Sequence, residues 1–326
     1  MKRIVITACT AALAWTQPVS GEPSLSDVAA RTELRAIHSL TLTDRQSLTG
    51  DKSGKPATIA GELRLPRGAT GRLPAVVLLH GSGGVNGGHE FWAKHFNAMG
   101  MATLIIDSFS GRGLVSTSTN QGLLGRYNMI VDAYRGLDML AAHPRIDGSR
   151  VAVMGFSRGG QSALYSSLKR FQQNWGQGNR FAAHIPLYAS CSATLIGDTE
   201  LTGAPVRQHH GAADDYVTVA PCREYFKRLR AAGNDVELIE YPGAPHSYDN
   251  PLGARPPRLS KGSESTRDCT LREEPMGVIV NTATGKPFTY KDDCIRRDPH
   301  LGYHEASANA TRAAVKAFLR TTFRLE

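Results

Sequence analysis

From about residue 58 the chain alternates short, β-rich apolar runs with longer stretches of helical period. That order implies a parallel sheet covered by helices, because a parallel neighbour is reached by a crossover that lays its helix on the sheet face. The runs Ala75–Leu79, Ala102–Ile106 and Val151–Met154 are apolar throughout rather than at every second residue, as strands buried on both faces require. Phe181–Tyr188, Ala204–His210 and Val236–Tyr241 are further strand candidates. Between them Ile130, Tyr134, Leu137 and Ala141, and then Val219, Cys222, Phe226 and Leu229, each make one apolar helical face, with Gly233 placed to end the second helix. A final helix is expected over Ala306–Arg320. With 41% hydrophobic residues the 326-residue chain can bury a large core, which excludes disorder, collagen-like repeats and coiled coil. No internal repeat or long linker breaks the rhythm. The expected fold is therefore α/β, a mostly parallel central sheet with helices on both faces, in one domain over residues 22–326.

The two ends of the chain depart from this rhythm. Met1-Lys2-Arg3 is a positive start, Ile4 to Trp15 is apolar, and Val19-Ser20-Gly21 supplies small residues, so residues 1–21 read as a secretory signal peptide. The apolar run is too short for a spanning helix, which needs roughly 20 residues, and no stable membrane insertion is expected once the leader is removed. Residues 250–304 are rich in Pro, Gly and charge, and are expected to form a loop-rich insertion with a hairpin of Gly277–Asn281 against Lys286–Tyr290. Cys9 lies in the leader, leaving Cys191, Cys222, Cys269 and Cys294, an even set that suits disulfides in a periplasmic or secreted protein. Cys269 and Cys294 share the loop-rich segment, so they are expected to pair, stabilising it by about 3 kcal/mol on the chain-entropy estimate, and Cys191 then pairs with Cys222. The net charge of +9 is spread along the chain rather than gathered on one face, so nucleic-acid binding is not expected.

The chemistry centres on Gly155-Phe156-Ser157-Arg158-Gly159. This G-x-S-x-G follows the strand Val151–Met154 and precedes a stretch whose Leu164, Leu168 and Phe171 keep helical spacing. Strand, sharp turn and helix are what a nucleophile elbow requires, with glycines where side chains would clash. A serine hydroxyl is a poor nucleophile, so it needs a base, and the base needs an orienting carboxylate. Both are available past the ends of later strands: Gly211-Ala212-Ala213-Asp214-Asp215 after Ala204–His210, and Pro242-Gly243-Ala244-Pro245-His246 after Val236–Tyr241. Open α/β sheets place ligands at such strand ends. His246 is the candidate base, and from the residues alone either Asp214 or Asp215 could orient it. His80-Gly81-Ser82-Gly83-Gly84, after the strand Ala75–Leu79, is the candidate oxyanion loop, with the amides of Ser82 and Arg158 as donors. It lacks the frames of a P-loop or a dinucleotide-binding loop. His209, His210, His300 and His304 are read as structural or surface residues rather than metal ligands. Arg112, Arg126 and Arg158 are candidates for pairing with an anionic substrate group, and Arg112 and Phe156 are candidate substrate-binding residues.

These residues, together with Asp107-Ser108-Phe109 and Gly111-Arg112-Gly113, resemble the dienelactone hydrolase family of α/β-hydrolases over roughly residues 58–248 and the last helix. The resemblance implies cofactor-free hydrolysis of an ester or lactone by Ser157, Asp214 and His246, with Asp215 left to cap or contact the loop. The nucleophile here is serine, whereas dienelactone hydrolases proper use cysteine, and the insertion after His246 exceeds the family core. The expected function is a serine hydrolase of small carboxylic esters or lactones acting through an acyl-serine. A peptidase of the same fold and a non-catalytic binding protein on a hydrolase scaffold are the alternatives. A polysaccharide-directed esterase is also compatible with export.

Overall fold

The computed structural model describes residues 31–325, so the expected signal peptide and Cys9 lie outside the described residues. The main sheet is built from β1 (Arg31–Thr41), β2 (Lys55–Leu65), β3 (Leu73–Leu79), β4 (Ala102–Asp107), β5 (Ile146–Phe156), β6 (Ala183–Leu187) and, after the two-residue β7 (Ala193–Thr194), β8 (Val206–Gly211) and β9 (Val236–Tyr241). Its eight strands run in the order β1-β2-β4-β3-β5-β6-β8-β9. The strands from β4 to β9 are parallel, and β2 joins β4 antiparallel.

The apolar runs are continuous because both faces are covered. Along β3, Ala75, Val77 and Leu79 point into one core cluster while Val76 and Leu78 point into the other. The first cluster lies under α1 (Asp44–Thr49), and the second receives Trp92 and Phe96 of α2 (Gly87–Asn97). α3 (Asn128–Ala141), α5 (Lys169–Trp175) and α6 (Ala220–Ala231) pack on the first face, while α7 (Glu305–Phe323) puts Val315, Leu319 and Phe323 on the second. α4 (Arg158–Tyr165) starts directly after β5. Gly233 follows α6 at φ 79°, a conformation with no steric cost for glycine.

Three local expectations are corrected. The βα rhythm does not begin the sheet: β1 pairs along its whole length with β2 as an antiparallel hairpin at the edge. Only Ile37 and Ser39 of β1 are buried, which leaves too little alternation to signal a strand. The helix expected through Leu164, Leu168 and Phe171 is broken, since Leu168 is extended (φ −73°, ψ 132°) and bridges Leu201. Ser166 and Ser167 end α4 by donating their hydroxyls back to Ala163 O (2.9 Å) and Leu164 O (2.6 Å), an alternative to further helix that short polar side chains offer. All three apolar residues are nevertheless buried.

The third correction concerns residues 250–304, which carry β10 (Arg258–Leu259), β11 (Leu271–Glu274), β12 (Val278–Asn281) and β13 (His300–Leu301). The expected hairpin is present but short: Val280 bridges Pro287, flanked by bonds from Asn281 N–H to Lys286 O (2.9 Å) and from Phe288 N–H to Ile279 O (2.8 Å), and it extends no further as a ladder. β12 pairs instead with β11, which continues onto β7. The disulfides are Cys191–Cys222 and Cys269–Cys294. Closing loops of 31 and 25 residues, they stabilise the fold by about 3–4 kcal/mol each on the chain-entropy estimate. Arg170 adds a bidentate pair to Glu273 (both 2.8 Å), tying β11 to α5. Among the described residues no helix is long and apolar enough to cross a membrane.

Burial also sets how the fold responds to acid. It holds His89 and His184 at about 4 and His209 at about 3, each below the ordinary 6.5. Between about pH 6.5 and 4 the unfolded chain therefore binds protons at these sites that the native chain does not, and their contribution to stability is lost as pH falls. In urea unfolding at pH 6.5, 5.5 and 4.5, His184→Gln is expected to flatten the slope of stability against pH by up to one proton. An unchanged slope in that variant contradicts the assignment.

Candidate active site

Ser157 sits between β5 and α4 at φ 54°, ψ −111°, a strained conformation for a residue with a side chain. Its neighbours show why the elbow needs glycine. A methyl group at Gly155 would lie 2.0 Å from Gly159 O, at Gly159 2.2 Å from Leu79 O, and at Gly160 2.4 Å from Leu187 O. β5 and α4 thus approach each other, and the neighbouring strands, to backbone contact. The turn lifts the serine side chain above the strand ends.

His246 and Asp214 arrive there from the loops after β9 and β8. The Asp214 carboxylate accepts Nδ1–H of His246 (2.7 Å), which leaves Nε2 as acceptor for the Ser157 hydroxyl (2.9 Å). Asp214 Oδ1 is held by the backbone N–H groups of Tyr216 (2.9 Å) and Val217 (2.8 Å), so its other oxygen is directed at the imidazole. Both side chains are buried. Asp215 points the other way. Its oxygens accept the N–H (2.8 Å) and Nδ1–H (2.8 Å) of His300, an exposed contact between the β8 loop and the insertion.

The His80-Gly81-Ser82-Gly83-Gly84 loop is pinned beside the serine. His80 donates from Nδ1 to Gly81 O (2.7 Å) and accepts Ser108 N–H at Nε2 (3.1 Å), as a neutral ring does, and burial pushes its pKa down. Ser82 O accepts Thr117 N–H (2.8 Å) and its hydroxyl donates to Gln121 Oε1 (2.9 Å). The first helical bond after the elbow runs from Gln161 N–H to Ser157 O (2.8 Å), so the N–H of Arg158, the first residue of α4, has no partner within the helix.

The arginines divide. Arg112 binds Asp132 through both terminal nitrogens (2.8 and 2.7 Å) and also Leu40 O and Ser108 O, and it borders neither cavity at Ser157, so it does not meet the expectation of a substrate contact. A guanidinium saturated by a carboxylate and carbonyls has no donor left for a ligand. Arg158 likewise donates to Thr117 Oγ1, Gln121 O and Oε1, and the carbonyls of Leu124 and Gly125, clamping residues 117–125 under the elbow. Phe156 lines the cavity at Ser157. His209, His210 and His304 bond Tyr241 OH, Val217 O and Ser307 Oγ respectively.

Residues that no motif marked complete the surroundings. Tyr188 and Tyr216 flank the His246 ring at centroid distances of 4.6 and 4.7 Å. The Tyr188 hydroxyl donates to Asp249 (2.8 Å), which also accepts Trp92 Nε1–H (2.7 Å), and burial pushes the Asp249 carboxyl up. A cavity of about 390 Å³ opens at Ser157 and His246, walled by the loop of residues 81–84, Phe156 and Tyr188, and from the insertion by Arg258, Leu259 and Leu301. A second space of about 50 Å³ lies at Ser157 beside Arg126, Arg158, Gln161, Tyr216 and Glu264.

The sheet order and the strained strand-to-helix turn place this protein among the α/β-hydrolases. Residues 59–273 match the model of the dienelactone hydrolase family, and the chain belongs to that family, which makes it a hydrolase. Solved structures of similar fold include the dienelactone hydrolase-like promiscuous phosphotriesterase P91 from metagenomic libraries, at 20% identity and TM-score 0.56 over 90% of this chain and 98% of that one. The protein m3DLH gives 21% and 0.58 over 89% and 98%, and esterase 2 of Thermogutta terrifontis, phosphonylated by cyclosarin, gives 17% and 0.50 over 69% and 87%. No curated protein matches the chain.

Proposed function

We infer that the protein is an exported serine hydrolase of small carboxylic esters or lactones. The observation that carries this reading is the hydrogen-bonded series from Ser157 through His246 to Asp214 at the mouth of a cavity. In the first half-reaction Ser157 Oγ bonds to the acyl carbon as its proton passes to His246 Nε2, and the carbonyl electrons move to oxygen. The amides of Ser82 and Arg158 hold that oxyanion, and Asp214 stabilises the imidazolium. Collapse breaks the bond to the alcohol oxygen, which takes the proton from His246. Water, deprotonated by His246, then attacks the acyl-serine, and the acid leaves as Ser157 regains its proton. No cofactor enters any step. The two disulfides fit the oxidising compartment to which the leader residues would direct the chain.

The test uses the chain from Glu22 onward, made under oxidising conditions. Turnover of a short-chain aryl ester, and stoichiometric labelling of Ser157 by an alkyl phosphonate probe, are expected. Failure of both overturns the reading in favour of a binding protein, and faster cleavage of the matching anilide than of the ester makes the protein a peptidase.

A further inference from the structure

The two N–H groups that hold Asp214 belong to peptide groups whose other ends are gripped from the insertion. The N–H of Tyr216 shares a peptide plane with the carbonyl of Asp215, and the N–H of Val217 with the carbonyl of Tyr216. On one side both N–H groups donate to Asp214 Oδ1, at 2.9 and 2.8 Å. On the other, the Asp215 carbonyl accepts Nη1–H of Arg267, and the Tyr216 carbonyl accepts the Ser265 hydroxyl (2.6 Å). Neither carbonyl meets a backbone N–H among the described residues. In a trans peptide N–H and C=O point in opposite directions within one rigid plane, so a bond at the oxygen sets the aim of the hydrogen. It also polarises the group, which strengthens the bond at the opposite end.

Ser265 and Arg267 form one unit. The Ser265 oxygen accepts the Arg267 N–H (3.1 Å) while its hydrogen goes to Tyr216, and the serine is buried. Its backbone exchanges two bonds with Arg296 (2.8 and 2.9 Å), and the Cys269–Cys294 disulfide ties the same two segments together close by. The next carbonyl, of Val217, is held differently, since it accepts Nε2–H of His210 (2.7 Å) from β8 itself. Sheet and insertion therefore divide the loop after β8, and the two peptide groups that touch Asp214 fall to the insertion. Tyr216 bears on both buried partners of the serine, because its N–H holds Asp214 and its ring lies 4.7 Å from the His246 ring. Arg267 borders neither cavity at Ser157, so its reach toward the site runs only through the Asp215 carbonyl.

We propose that Ser265 and Arg267 are positioning residues for the Asp214 carboxylate, so that the insertion belongs to the catalytic apparatus as well as to the wall of its cavity. This role presupposes that Ser157, His246 and Asp214 work together as inferred above. Without the Ser265 hydroxyl the peptide group between Tyr216 and Val217 is free to tilt, the Val217 N–H leaves Oδ1, and the carboxylate loses its aim at His246 Nδ1. Without the Arg267 guanidinium the preceding peptide group does the same to the Tyr216 N–H. Displacing a group near the reacting atoms by about 1 Å costs on the order of 10²-fold in rate.

Two quantities test it in Ser265→Ala and Arg267→Met: the rate at which the alkyl phosphonate probe labels Ser157, and kcat with KM on the short-chain aryl ester. Each variant is expected to lose about 10–10²-fold in labelling rate and kcat with KM within about 2-fold of native, the split of a change felt in the transition state alone. Arg267→Lys, which keeps a donor on a similar stem, is expected to recover most of the loss. The same substitutions are then made beside Asp214→Asn, where the imidazole has already lost its carboxylate. There each is expected to cost less than about 2-fold, because residues that act through one group are not additive. Losses that multiply in the double variants overturn the role and make Ser265 and Arg267 supports of the fold at large. Native rates in folded Ser265→Ala and Arg267→Met overturn it as well. Should Ser265→Ala fail to fold, half-buried Arg267 carries the same comparison. Absence of labelling in the native protein overturns instead the nucleophile assignment on which the role stands.

Discussion

Ser157→Ala is expected to lower kcat/KM by about 10⁴–10⁶-fold on any ester the native protein hydrolyses, the range found when a triad nucleophile is removed from a site whose oxyanion donors remain. The size of the effect follows from what the hydroxyl does. In the proposed mechanism it forms the bond to the acyl carbon, and no neighbouring group would replace it, since His246 and Asp214, bonded in series to it, would move and stabilise its proton. The fold loses only one hydrogen bond, to His246, and alanine occupies the strained φ of 54° on the same terms as serine. Calorimetry is therefore expected to show a thermal midpoint that does not fall, while the ester assay drops to the residual rate that the remaining oxyanion donors support. Residual activity within about 10-fold of native in a folded variant means that another group is the nucleophile.

The second large effect separates two adjacent aspartates. Asp214→Asn is expected to reduce kcat by about 10³–10⁴-fold, whereas Asp215→Asn costs less than about 5-fold. An asparagine at 214 presents either an N–H, which makes the imidazole carry its proton on Nε2 and donate to Ser157, or a neutral oxygen, which stabilises imidazolium poorly. The backbone bonds from Tyr216 and Val217 to Oδ1 hold the side chain in place, so the geometry survives while the chemistry fails. Asp215 contacts His300 with 44% of its side chain exposed, in a setting where ion pairs are worth little. Steady-state kinetics of the two variants decide the matter, and the reverse order of losses reassigns the carboxylate.

Much of the site could be read from the chain. The elbow is a local device, because the strand, the strained serine and the close-packed glycines are consecutive, so Gly155 to Gly160 announce it together. His246 and the Asp214–Asp215 pair were legible for a related reason, since each follows a buried strand within a few residues and parallel strands bring their ends to one edge. The β1–β2 hairpin escaped notice because an edge strand buries little, and the break at Ser166–Leu168 because three apolar residues at helical spacing look the same whether one helix or two carry them. Tyr188, Tyr216, Trp92 and Asp249 bear no motif, as their role is to pack round an imidazole contributed by a distant loop.

The arginines show most clearly where sequence reasoning stops. Arg112, Arg126 and Arg158 are chemically identical, and on paper each suits an anionic substrate. In the folded chain Arg112 is consumed by Asp132 and backbone carbonyls and the terminal nitrogens of Arg158 by residues 117–125, while Nε and Nη1 of Arg126 and Nε of Arg158 meet no acceptor among the described residues. By itself, then, the amino-acid sequence determined the sheet, the elbow and the set of reactive groups, because strand burial, backbone strain and close approach are written in neighbouring residues. Which aspartate meets the imidazole and which guanidinium is saturated inside the fold were decided only by the tertiary structure, because a side chain's partners are set by backbone groups that lie far away along the chain and close only in space.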